Sequence, residues 1–114
     1  MSTKKKKLKW DSQLRKGLLD FIILLYLQKK DFYGYELIRE LKRVTDIELS
    51  EGTIYPLLNR LKKEDLISAK WVEMETGVPR KYYRITEKGR NALKDMQISW
   101  EQIVIAIKKL VGTK

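Results

Sequence analysis

Between Leu66 and Thr86 the chain leaves the helical period that governs it on both sides. "LISAKWVEM" (Leu66 to Met74) and "RKYYRIT" (Arg80 to Thr86) are rich in β-branched and aromatic residues, and "ETGVP" between them holds Gly77 and Pro79. Two such runs around a Gly/Pro turn read as a β-hairpin. Trp71 and one of the alternating pair Tyr82 and Tyr83 are expected in the core. One hairpin inside an otherwise helical chain of 114 residues gives an α+β, mostly α, fold with a modest core.

Residues 12–29 are expected to form one helix. Leu18, Ile22 and Leu25 mark one side and Leu19, Ile23 and Tyr26 another. A helix apolar nearly all round is buried on several sides, and the side carrying Leu19 and Ile23 is expected to meet a second chain. Asp31 to Gly34 punctuate the chain, and a second helix follows with Gly34, Leu37, Ile38, Leu41 and Val44 at helical spacing. "TDIEL" is a short connection in which Ile47 and Leu49 are expected to be buried. A third helix runs from an N-cap at Ser50, with Ile54, Leu57, Leu58 and Leu61 as its apolar stripe. Two amphipathic helices joined this closely form a helix-turn-helix pattern.

After the hairpin, Thr86 can cap a last helix. Its apolar positions Leu93, Met96, Trp100, Ile103, Ile107 and Leu110 advance by 3, 4, 3, 4 and 3 residues, a heptad seam that Val104 and Val111 widen. Such a seam is built to pair with another helix. The chain divides into a basic, disordered arm at residues 1–11, a winged domain at 12–86 and a dimerisation helix at 87–114.

The net charge of +10 points to a polyanionic partner. Cys and His are absent, which excludes disulfides, Cys/His zinc sites and Cys/His nucleophiles. No metal and no cofactor is expected. The longest apolar block, Gly17 to Leu27, is shorter than the ~20 residues of a membrane span and contains Asp20. No cleavage site follows the lysine run Lys4 to Lys7, so the reading is cytoplasmic, with no membrane partner.

Gly52 and Pro56 lie inside the third helix, where both weaken helices. Either the helix runs through them and its outer face must approach something closely, or it starts only near Tyr55. The order of motifs bears on this. "YGYELIREL" (Tyr33 to Leu41), "LSEGTIYPLLNRLKKEDLI" (Leu49 to Ile67) and "GVPRKYYRITEKGR" (Gly77 to Arg90) together resemble the PadR family of transcriptional regulators, in its smaller subclass with a single C-terminal helix. The likeness covers Leu14 to Leu110. It implies a winged helix-turn-helix with a two-stranded wing and a long C-terminal dimerisation helix. It also implies a homodimeric repressor on double-stranded DNA carrying an inverted-repeat operator. Some members release DNA when a phenolic acid or planar drug binds.

On that reading the third helix enters the major groove. Gly52, Thr53, Tyr55, Pro56, Asn59, Arg60 and Lys63 are its DNA-facing residues, with Tyr55 and Asn59 as base-edge or phosphate contacts. Lys62 and Lys63 meet phosphates, and Gly77, Arg80 and Lys81 serve the wing. Dimerisation falls to Leu19, Ile23, Leu93, Met96, Trp100, Ile103, Ile107 and Leu110, and Trp10 is placed to touch the partner's last helix. Related regulators bind flat aromatic ligands between such tryptophans, which makes Trp100 and Met96 the candidate contacts for a small aromatic effector; Asp95 and Glu101 lie off that seam. The competing function is a winged-helix protein-interaction module that never binds DNA. It would expose apolar residues on the third helix and wing, where this chain has Asn59, Arg60, Lys62, Lys63, Arg80 and Lys81. No Walker loop, GxGxxG or acid pair supports an enzyme.

Overall fold

The computed structural model of the chain describes residues 9–46, 49–75 and 77–112. Residues 1–8 of the basic arm expected to be disordered, and the expected burial of Ile47, fall outside them. Residues 9–11, expected in the arm, already belong to a helix.

The single first helix expected from the sequence is two. α1 spans Lys9–Gly17 and α2 spans Leu19–Leu27. Gly17 is a poor helix former, and Leu18 (φ −99°, ψ 1°) leaves helical geometry between them. Its N–H donates to the Arg15 carbonyl, three residues back, at 3.2 Å. α1 buries nothing, so Trp10 and Leu14 stand exposed along it. α2 is enclosed on several sides, as its composition requires. Leu19, Ile23, Leu24 and Leu27 are buried, and Phe21, Ile22, Leu25 and Tyr26 are packed against the core at its edge. This corrects the assignment of Leu19 and Ile23 to a subunit interface: both fill the protomer's own core beside Leu37, Leu41, Ile54 and Leu58.

A two-residue strand, β1 (Phe32–Tyr33), precedes α3 (Gly34–Thr45) and α4 (Glu51–Lys63). The hairpin is β2 (Ile67–Val72) and β3 (Arg80–Ile85), and α5 (Glu87–Val111) ends the fold. The sheet has three antiparallel strands in the order β1-β3-β2, one more than the two-stranded wing expected. β1 is too short to show a period of two in sequence. Leu49 is buried as expected, but Val44 is exposed at the edge of the α3 stripe, whose last turn is anchored by buried Thr45 instead.

Strand alternation puts Ile67, Ala69 and Trp71 of β2 on one face with Ile85, Tyr83 and Lys81 of β3, which they pair with in that order. Along both strands this face emerges from the core. Ile67, Ile85 and Tyr83 are buried, Ala69 and Lys81 are half-buried, and Trp71 is 64% exposed. Trp71 was expected in the core. It has the right face, but the hairpin has by then passed the last helix that could cover it.

α5 starts at a tight junction. Thr86 caps it, its hydroxyl oxygen accepting from the Gly89 N–H at 2.9 Å and its O–H donating to the Asp65 carbonyl at 2.7 Å. The Thr86 N–H donates to the Leu66 carbonyl at 3.1 Å. The first turns of α5 then pack on α2: Leu93 is buried, Met96 half-buried, and the Trp100 ring lies 6.2 Å from the Phe21 ring. Leu93 is thus a core residue of the protomer, not an interface residue. Beyond Trp100 the seam emerges, with Ile103 and Ile107 about half exposed and Leu110 82% exposed. Ile98 and Ile105, exposed on the opposite side of the helix, make this end more apolar than the seam alone.

Candidate nucleic-acid interface

α4 runs from Glu51 with Pro56 inside it, so the later start near Tyr55 does not occur. Ser50 occupies the N-cap, its carbonyl accepting from the Thr53 and Ile54 N–H groups at 3.0 and 3.1 Å. Its hydroxyl meets the Thr53 hydroxyl at 3.3 Å rather than a backbone amide. Ile54, Leu58 and Leu61 anchor the helix in the core. Gly52, Pro56, Asn59 and Lys63 lie on the exposed side away from them. A Cβ at Gly52 would meet nothing nearer than the Ser50 Oγ at 3.5 Å, so packing within the protomer does not demand glycine there.

The two flanks of α4 differ. Arg60, expected to face the groove, is turned towards α2, where its guanidinium is paired with Asp20, and it is 3.9 Å from Glu64. It braces α4 against α2. Exposed ion pairs contribute little, so Asp20→Asn should cost at most about 1 kcal/mol in urea unfolding. A larger loss would make this brace a main support of α4.

The other flank carries Tyr55, Asn59 and Lys62 and faces the hairpin. A cleft of about 780 Å³ lies between this flank and the hairpin, lined by Tyr55 and Asn59 together with Gly77, Trp71 and Lys81, with no acidic residue among the described residues of its wall. Tyr55 stands at its back, half-buried, with its hydroxyl against Gly34, where a Cβ would come within 2.8 Å of it. Burial, and then Glu51, push the Tyr55 phenol above its usual pKa. Tyr33 and Tyr35 stack at the mouth with ring centroids 6.4 Å apart, and the Arg80 guanidinium lies 4.4 Å above the Tyr33 ring. The Lys81 ammonium sits 5.6 Å over Trp71. Gly77 holds φ +90°, a conformation that favours glycine, in the hairpin turn. The turn also carries exposed Glu73 and Glu75, so the cations belong to the strands and not to the tip.

Of the expected DNA-facing residues, the fold gathers Tyr55, Asn59, Gly77, Arg80 and Lys81 around one cleft. It leaves Gly52, Thr53, Pro56 and Lys63 exposed on α4 and takes Arg60 away. Tyr33, Tyr35 and Trp71 join the cleft without having been expected there. The two tyrosines were visible in "YGYELIREL", but only as the start of a helix.

A second cavity of about 370 Å³ lies between α2 and α5, lined by Phe21, Met96, Trp100 and Ile103. Asp20 and Asp95 also line it. Asp95, off the seam, is thus part of the cavity wall. Among the described residues, no helix is long and apolar enough to cross a membrane.

Comparison with known proteins places this geometry. Residues 23–95 match the Transcriptional regulator PadR-like family. The structure superposes on that of a PadR-like transcriptional regulator from Bacillus cereus with a TM-score of 0.80 and 37% identity, covering 90% of this chain and 99% of the other. The transcriptional regulator YqjI of Escherichia coli is 35% identical over 94 residues, 81% of this chain and 44% of YqjI. The transcriptional activator GvpE of Haloferax mediterranei is 32% identical over 94 residues, 82% of this chain and 42% of GvpE. The chain thus spans less than half the length of these two relatives. A winged helix-turn-helix fold, a basic cleft between α4 and the wing and a family match over most of the chain lead to one conclusion: this chain belongs to the PadR-like family of DNA-binding transcriptional regulators.

Proposed function

We propose that the chain acts as a homodimeric repressor that reads an inverted-repeat operator with α4 and the wing of each protomer. The observation that carries this reading is the charge of the cleft rim. Arg80 and Lys81 in the cleft wall, and exposed Lys62 and Lys63 on α4, have no carboxylate partner among the described residues. Cations left unpaired around a concave, acid-free wall suit a phosphate backbone. Asn59 at the cleft edge can bridge adenine N6 and N7, and exposed Gly52 lets a backbone come close to α4. A protein-interaction module would expose apolar residues on both α4 and the wing; Trp71 and Val78 are exposed on the wing, but α4 exposes no large apolar side chain.

The experiment compares Asn59→Ala with wild type on operator and scrambled DNA at one salt concentration. The expected loss is about 1–3 kcal/mol per half-site on the operator only. Equal losses on both DNAs would make Asn59 a phosphate contact, and no loss on either would remove this face of α4 from the interface. The sign of regulation is read from a reporter driven by the operator promoter. Higher expression on deletion of the gene supports repression; lower expression would give this chain the activating role that GvpE is named for.

For release we propose a planar aromatic effector in the α2–α5 cavity, against Trp100 and Met96. The Phe21–Trp100 ring pair beside an open cavity supports it. Such a compound should quench Trp100 fluorescence and weaken operator binding together. Neither effect would leave Trp100 a packing residue.

A further inference from the structure

Lys62 and Lys81 come from different elements yet meet. Lys62 lies on the α4 flank that faces the hairpin, and Lys81 points inward from β3 towards that flank. The two side chains come close enough for the Lys62 charge to act on the Lys81 ammonium. Lys81 is held there by two rings, its ammonium 5.6 Å from the Trp71 centroid and 5.8 Å from that of Tyr83. Two rings within about 6 Å of the ammonium favour this direction of the stem. Neither lysine has a carboxylate partner among the described residues. Two ammonium groups placed together without an acid repel each other. One oxyanion between them replaces that repulsion with charge-assisted hydrogen bonds to both. Burial first, and then Lys62, hold the Lys81 ammonium below the usual lysine pKa.

We infer that Lys62 and Lys81 form one shared oxyanion site, which holds a single backbone phosphate of the DNA between α4 and the wing. The inference rests on the reading of the cleft as the DNA interface. It adds that the two lysines act as a unit and tie the recognition helix to the wing through one phosphate. Lys63, on the outer side of α4, and Lys70, on the other face of the sheet, stand outside the pair and serve as comparators.

The site is tested first without DNA. Inorganic phosphate is titrated into the full chain at constant ionic strength, with chloride as the control, while the lysine side-chain NMR signals are followed. Lys62 and Lys81 should shift together on one saturating curve, with Lys63 and Lys70 drifting weakly and linearly. Lys81→Gln should abolish saturation at Lys62. Four lysines drifting alike, or an unchanged Lys62 curve in the variant, would overturn the shared site. The occupant is tested by the salt dependence of DNA binding, whose slope changes by about 0.9 for each phosphate neutralised. Lys62→Gln and Lys81→Gln alone should leave the slope nearly unchanged, because the remaining lysine still neutralises the phosphate. The double variant should lose about 1.8 for two protomers. A full step lost in each single variant would mean two separate phosphates and refute sharing. Saturation by phosphate in a protein that binds no DNA would overturn DNA as the occupant and the cleft reading with it.

Discussion

Gly89→Ala is expected to lower the melting temperature by roughly 10–20 °C, the largest loss of stability from adding one methyl group to this chain. A Cβ at Gly89 would lie 2.0 Å from the Leu66 carbonyl oxygen and 2.8 Å from the Ile85 Cγ1. The nearer obstacle is backbone, held by its hydrogen bond from the Thr86 N–H, so no rotamer change relieves it. The first turn of α5 must move away, and with it the contacts of Thr86 with Gly89 and Asp65. Overpacking typically costs about 1–3 kcal/mol, and a backbone obstacle belongs at or above the top of that range. Alanine returns about 1 kcal/mol of helix propensity. The remaining 2–3 kcal/mol, at about 4–8 °C each in a domain near this size, gives the predicted shift. Calorimetry or thermal circular dichroism measures it. A fall of less than about 3 °C would mean that the junction yields easily, contrary to the close packing seen here. The junction also matters for function. It clasps the turn at the end of α4 to the start of α5, so a movement of α5 reaches α4, the helix proposed to face DNA, directly.

What sequence reveals here is whatever depends on neighbours along the chain. The stripe of α4, the Thr86 cap, the hairpin and the seam of α5 are local periodicities and local hydrogen bonds, and all are present in the structure. The misplacements come from long-range geometry. Leu19 and Ile23 look the same in sequence whether their apolar side meets a partner or the protomer's own core, and only the packing of α2 among α3, α5 and β3 decides it. Arg60 sits on a helix surface suited to DNA, yet Asp20, forty residues earlier, claims it. Trp71 has the alternation of a core residue but stands where the hairpin has outrun the helices. β1 and the break at Leu18 are too short to disturb any periodic pattern. For the candidate site, the exposed residues of α4 and the wing proposed to face DNA were named from motif order. The cleft that gathers them with Tyr33, Tyr35 and Trp71 was not, because it exists only once the hairpin folds against α4.

Ile107→Glu is expected to convert the proposed dimer into a monomer without harming the protomer. Ile107 is 52% exposed, in the part of α5 that has left α2 behind. A polar substitution at such a position should change protomer stability by no more than about 0.5 kcal/mol. In a two-fold dimer the change occurs twice, once on each chain. Each copy forfeits apolar burial of about 1.5–3 kcal/mol for an isoleucine. Each also brings a carboxylate towards an apolar seam that offers no cation at the neighbouring positions Ile103 and Leu110, a burial that costs more than the lost contact. A combined penalty of at least about 4 kcal/mol corresponds to a dimer dissociation constant raised about a thousandfold. Leu93→Glu is the instructive contrast, because Leu93 is buried inside the protomer and its loss should unfold the chain. Sedimentation of wild type and Ile107→Glu across a dilution series measures the shift, with circular dichroism to confirm that both are folded. Operator affinity should fall with the dimer, since half-sites are read in pairs, while binding to scrambled DNA changes less. A wild type that sediments as a monomer at micromolar concentration would refute the two-fold seam. Ile103, Ile107 and Leu110 would then await a different partner.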